Sequence, residues 1–145
     1  MRNKMKRIYL LDTNIISEPV KKVPDESVLI ELEARTKLSA ISVISWSELL
    51  QGVQLMPEGK RQCRIESFII NDINALYDKV PFDEHAAFIY SKLYSDYKKN
   101  GLQPPIHDLQ IAATAIANNM ILVTRNTKDF ENIPGIMLEN WFSEN

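Results

Sequence analysis

The stretch Ile8-Tyr9-Leu10-Leu11-Asp12-Thr13-Asn14 limits the possible folds more than any other. Four apolar residues end abruptly in a carboxylate, a hydroxyl and a carboxamide. A short apolar run closed by polar turn residues reads as a buried strand of a parallel sheet. Met120-Ile121-Leu122-Val123-Thr124 repeats the pattern late in the chain. Asp12 then stands at the carboxyl end of its strand, where ligands gather in open α/β sheets. Asp is equally suited to N-cap the following helix, and the stretch alone supports both readings.

Between these strands the periodicity is mostly helical. Thr13 to Glu18 predicts a short turn stopped by Pro19. Asp25 predicts a cap for a helix carrying Val28, Leu29, Leu32 and Ala34 on one side. Leu38 to Val43 alternates as a second strand. Ser45-Trp46-Ser47-Glu48 opens a third helix reaching about Leu55. Ile65, Phe68, Ile69, Ile73 and Leu76 recur at helical spacing between Lys60 and about Asp78. Val80-Pro81-Phe82 reads as a short edge strand, where proline is tolerated. Asp83 caps a long helix whose Ala86, Ala87, Ile89, Tyr90, Leu93, Tyr94 and Tyr97 face inward and which stops at Asn100-Gly101. Ile106 to Ala117 is a helix apolar on nearly every side, ended by Asn118-Asn119, and Gly135 to Leu138 is a weak last strand. Strands separated by helices predict a three-layer α/β/α sandwich on a central, mostly parallel sheet. A length of 145 residues predicts one domain over residues 1–145.

Charge and cysteine content narrow the function. No apolar run approaches the roughly 20 residues that cross a bilayer. The basic opening Met1 to Arg7 is followed by too short an apolar run for a signal peptide. A lone cysteine, Cys63, forms neither an internal disulfide nor a thiolate metal site. A cytoplasmic chain without membrane attachment is expected. The net charge is −2 with a pI near 5.7, so any polyanionic ligand must be drawn by local basic patches or bound cations.

Four acids fall at element ends rather than on exposed helix faces: Asp12, Glu48, Asp108 and Asp129. Each has a purely structural reading. Ser45-x-x-Glu48 has the form of a capping box. Asp108 near a helix start complements the macrodipole. Asn126-x-x-Asp129 can be a turn or cap. Together they say more. The apolar flanks of Asp12 and Asp108 place both near the interior, where unpaired carboxylates are costly and several together repel. A hard divalent cation resolves that conflict. Oxygen-only ligands favour Mg²⁺ or Mn²⁺ over Zn²⁺, and such a cluster can activate water against a phosphodiester.

These residues also carry a resemblance. Leu10-Leu11-Asp12-Thr13-Asn14-Ile15-Ile16-Ser17-Glu18, Ile41 to Val53 with Ser47-Glu48-Leu49-Leu50-Gln51-Gly52, Asp108-Leu109-Gln110-Ile111-Ala112-Ala113-Thr114-Ala115 and Leu122 to Phe130, followed by Ile133-Pro134-Gly135 and Asn140-Trp141, resemble in order the motifs of PIN-domain ribonucleases. More narrowly, they resemble the toxin half of bacterial VapBC- and FitAB-type toxin–antitoxin pairs. The resemblance implies a PIN-like fold and a metal-dependent endoribonuclease. In it, Asp12, Glu48 and Asp108 hold the cation, Asp129 completes the quartet at longer range, Thr13 and Thr124 act as hydroxyl neighbours, and Asn126 contacts metal-bound water or substrate. It also implies a homodimer and a small antitoxin whose apolar segment crosses the toxin, with the helices at 25–35 and 45–55 as groove candidates. Asn126 stands where many relatives carry an acid, and Pro104-Pro105-Ile106-His107 departs from the usual glycine or serine before the third acid.

Rival functions are a phosphatase, which usually needs an acid where Asn14 stands, and a PIN-like RNA-binding or assembly domain without catalysis. His107 and His85 are not expected to be catalytic. Arg125 and Lys128 lie beside the candidate site, and Lys60, Arg61 and Arg64 form a basic helix start that either holds RNA or is simply solvated. Trp46 and Trp141 are expected to pack. The Tyr90, Leu93, Tyr94, Tyr97 stripe is either core or a partner surface.

Overall fold

The computed structural model describes residues 6–143, so the opening stretch through Met5 lies outside the described residues. Tyr9–Leu11 forms the central strand β1, buried on both faces. Ser39–Ser42 (β2) pairs parallel on one side of it and Ile121–Val123 (β4) on the other. Asp78–Val80 (β3) and Met137–Glu139 (β5) close the edges, giving five parallel strands in the order β3-β2-β1-β4-β5.

Parallel strands require crossovers, and the helices that supply them cover both faces. Tyr9, Leu11, Ile41 and Val123 point into a core formed with Thr13–Ile16 (α1), Glu26–Arg35 (α2), most of Val43–Gln54 (α3) and a helical rod. That rod runs through Lys60–Ser67 (α4), a π-helical stretch Phe68–Ile73 and Asn74–Leu76 (α5). Leu10, Ala40 and Leu122 point the other way, against Glu84–Lys99 (α6) and Ile106–Ala117 (α7). The three-layer architecture agrees with the alternating pattern of the sequence.

Helix ends are set by local chemistry. Asp25 and Asp83 accept from the amides of Val28 and Ala86 at 3.2 and 2.9 Å, capping α2 and α6. Gly101, at φ +72°, ends α6 in a Schellman turn: its amide donates to the Lys98 carbonyl, and that of Leu102 to Tyr97. Asn119, at φ +53°, ends α7 the same way, because Asn tolerates the left-handed conformation.

Some expectations shift. The second strand covers Ser39–Ser42 only, since Leu38 closes a 3₁₀ turn and Val43 already begins α3. The third strand, at the sheet edge, starts earlier than Val80-Pro81-Phe82, where Asp78 to Val80 pair with Ala40 to Ser42; Pro81, without an amide proton, follows it. The last strand begins at Met137 rather than Gly135. The first helical turn ends ahead of Pro19 but at Ile16 rather than Glu18, and Pro19 falls in the first turn of a separate 3₁₀ turn, Glu18–Val20, where a missing donor costs nothing. Ala87 on α6 is exposed rather than inward-facing.

Candidate active site

Chain connections run outward in opposite directions from β1 and β4, which places a topological switch point at the carboxyl ends of those two strands. Asp12 and Thr124 are the first residues past those ends. The backbone secures both: the Asp12 amide donates to the Val123 carbonyl at 2.9 Å, and that of Thr124 to the Glu139 carbonyl at 3.0 Å.

Asp12 is 8% exposed and does both things its position permits. Oδ1 accepts from the Thr13 amide at 2.9 Å, capping α1, while Oδ2 accepts from the Thr124 hydroxyl at 2.9 Å. Glu48 does not belong to a capping box. The cap of α3 is Ser42, whose Oγ accepts from the Ser45 amide at 2.9 Å, so Glu48 lies beyond the first turn. With that structural role removed, its half-buried carboxylate faces the site. Asp108 occupies the first turn of α7, half-buried. Asp129 ends the 3₁₀ turn Thr127–Asp129 after β4 and is exposed.

Electrostatics link these acids. Burial raises the Asp12 carboxyl above its ordinary range, against the pull of the Thr124 and Thr13 hydrogen bonds. Glu48 is raised by burial and by the charges of Asp12 and Asp108, with His107 opposing. Asp108 is raised by burial and by Asp12 and Asp129, again with His107 opposing. The structure therefore brings Asp12, Glu48 and Asp108 within electrostatic reach of one another, and Asp129 joins through Asp108. Among the described residues no three acid, His or Cys side chains are gathered tightly enough to hold a metal ion as they stand, so the acids are coupled through their charges across a shared mouth rather than packed around one point. Its donors are all oxygens, ionised at a cost that a hard cation relieves. On chemistry the set suits Mg²⁺ or Mn²⁺.

The supporting residues divide differently from expectation. Thr13 and Asn126 contribute backbone amides, to Asp12 and to the Thr124 Oγ (3.1 Å) respectively. Asn14 has a role not assigned from sequence: its amide nitrogen donates to the Thr124 Oγ at 3.4 Å, and its Oδ1 accepts from the Arg125 amide at 3.2 Å. Both acceptor positions of the Thr124 hydroxyl are thus filled, and its proton is directed at Asp12. The signal is present in the sequence as a carboxamide two residues after Asp12, but its target lies 110 positions away.

His107 Nδ1 lies 3.7 Å from Glu48 Oε2, on a side chain largely open to solvent. His85 is exposed on α6. The Arg125 guanidinium lies 4.4 Å over the Phe142 ring. Trp141 is buried edge-on against Tyr9 at 5.4 Å, and Trp46 packs at the core margin under Lys79. The tyrosine stripe is largely half-buried along α6 against α7, with Phe82 edge-on to Tyr90.

Comparison with known proteins places the fold in a family. The family pattern described as the PIN domain matches residues 9–136. "Ribonuclease VapC2" of Rickettsia felis is 36% identical over 136 residues, covering 92% of this chain and 98% of that protein. "Toxin FitB" of Neisseria gonorrhoeae is 37% identical over 129 residues, covering 85% and 91%. The solved structure of FitAB bound to an IR36 DNA fragment superposes with a TM-score of 0.84 at 33% identity, covering 95% of this chain and 99% of that one.

Proposed function

The chain belongs to the PIN-domain family, and from that premise we propose that it is a divalent-metal-dependent endoribonuclease, the toxin of a toxin–antitoxin pair. The observation that carries this reading is the convergence of Asp12, Glu48 and Asp108 at the switch point of the sheet, each destabilised as an anion by burial, and Glu48 and Asp108 also by neighbouring negative charge. Relatives named ribonuclease and toxin support the activity and the biological role.

Asp12, Glu48 and Asp108 would hold the cation, with Asp129 on the outer rim. When bound, Mg²⁺ or Mn²⁺ supplies a lowered water pKa and countercharge for a phosphodiester under in-line attack. The chain's own contribution is preorganisation. Thr124 and the Thr13 amide fix the Asp12 carboxylate plane, and Asn14 fixes Thr124, so this one carboxylate is oriented before its ligands arrive. No histidine base is required. His107 moderates the charge of Glu48 and Asp108 from the rim.

An apolar groove lined by Leu49, Val53, Met56, Ile65 and Phe68 begins beside Glu48. An antitoxin segment laid along it would cover the acidic mouth. The groove runs between α3 and α4, and α2, the other candidate helix, contributes none of its lining. The chain would act in the cytoplasm, as a homodimer. Among the described residues no helix is long and apolar enough to cross a membrane.

The test incubates purified protein with structured RNAs, with and without EDTA, beside Asp12→Asn and Asp108→Asn. Cleavage should depend on Mg²⁺ or Mn²⁺ and fall at least about 100-fold in both variants, the loss expected when a charge-stabilising group is removed. Cleavage that survives the chelator would overturn the metal-dependent mechanism.

A further inference from the structure

The acidic mouth repels the polyanion it is proposed to cut, and the net charge of −2 offers no bulk attraction. One surface is different. A cleft between the Val20–Lys22 turn and the first turns of α4 is lined by Val20 and five cations: Lys21, Lys22, Lys60, Arg61 and Arg64. All five are exposed, Lys21 is paired with Glu18 at 2.8 Å, and no acid joins the lining.

This arrangement works against folding. The α4 N-cap is Gly59, with no side-chain hydrogen bond to the open amides, and its first turn carries no acid. Lys60 and Arg61 there oppose the helix dipole, and the like charges of Lys22, Lys60, Arg61 and Arg64 around one cleft repel. Both costs are relieved when an anion occupies the cleft, since free amides and guanidinium forks suit phosphate oxygens. The cleft also adjoins the apolar groove that begins at Glu48, since Val20 lines both.

We propose that this cleft grips the phosphodiester backbone of the RNA to one side of the scissile bond. The assignment rests on the nuclease reading above. The contacts are to phosphate, so the cleft supplies affinity and not base choice.

The experiment measures binding of a labelled 20-nucleotide single-stranded RNA in EDTA, where no cut is made, for wild type and for the triple variant Lys60→Gln, Arg61→Gln, Arg64→Gln. Each lost phosphate contact lowers the slope of log Kd against log salt by about 0.7, so the slope should fall by about 2, with binding on the order of 100-fold weaker at 0.1 M salt. In Mg²⁺ or Mn²⁺, KM should rise while the single-turnover rate at saturating RNA stays within about twofold, because no group at the reacting phosphate has changed. Arg61→Lys with Arg64→Lys should retain the slope and controls for folding. An unchanged slope and Kd in the triple variant would overturn the proposal while leaving the nuclease intact. Loss of affinity for an acidic partner peptide, with RNA binding unaltered, would overturn it in favour of a protein-binding cleft. A wild type that cuts no RNA would sink the functional reading itself, whatever the binding data.

Discussion

The Thr124 hydroxyl donates to Asp12 Oδ2 at 2.9 Å across 112 positions of sequence, joining the ends of two neighbouring central strands by a buried side-chain bond. Because Asn14 and the Asn126 amide fill the acceptor side of that hydroxyl, the bond has one direction only.

Thr124→Val keeps the shape and removes the donor. Groups that orient a metal ligand typically contribute about 10–100-fold in metal affinity or activity, and a cleavage loss of that size is expected. Thr124→Ser should restore most of it. Titrating cleavage against Mn²⁺ checks the assignment, since the valine variant should need more metal for half-maximal rate.

Asn14→Ala should act through the same hydroxyl but more weakly, by about 3–10-fold, a fraction of the loss seen when an orienting group itself is removed. Thr124 keeps its bond from the Asn126 amide. A double-mutant cycle with Thr124→Val measures the dependence: the two losses should be clearly less than additive.

The raised carboxyls of Asp12, Glu48 and Asp108 carry a definite sign for stability. Each binds its proton more tightly folded than unfolded, so stability of the metal-free protein falls as pH rises from the ordinary carboxylate range through the raised values. Asp12→Asn should therefore raise the melting temperature in EDTA at neutral pH, and the gain should shrink as the pH is lowered into the ordinary carboxylate range. Thermal melts across that span are the measurement, and an equal or lower Tm at neutral pH would count against a strained anionic site.

Phe130 is 1% exposed, in the core with α6 and α7, although it closes the loop that carries Asp129. Phe130→Ala should cost about 3–5 kcal/mol, lowering Tm by roughly 10 °C for a chain of this size. Chemical denaturation should give the same loss with little change in slope.

Mg²⁺ or Mn²⁺ should raise Tm in wild type by mass action, about 2.7 kcal/mol at roughly a hundred times the dissociation constant. The shift should disappear in Asp108→Asn. A cation effect of equal size in that variant would place the binding elsewhere.

Much of this is legible in the linear chain. The runs ending at Leu11 and Val123 are continuous and apolar because central parallel strands are buried on both faces, an environment that leaves little room for polar side chains. Asp25, Asp83 and Gly101 cap or end their helices through contacts within a few residues, so the local pattern suffices. The edge strands are less legible. Edge strands carry a weaker burial pattern, and the register of β3 comes from β2, not from its own residues. The start of α3 is hidden because Val43 extends the alternation of the preceding strand, while the deciding event is the Ser42 hydroxyl capturing the Ser45 amide.

Residue type and order alone determined an alternating α/β chain with acids at its element ends, because periodicity and capping are short-range effects that neighbouring residues control. The tertiary structure decided which acids share a mouth, that Glu48 is released from capping to face it, that Asn14 aims Thr124, and that cations from two distant segments line one cleft. Those relationships depend on distances between side chains far apart in sequence, and Coulomb forces and hydrogen bonds acquire their strength only once folding has set those distances.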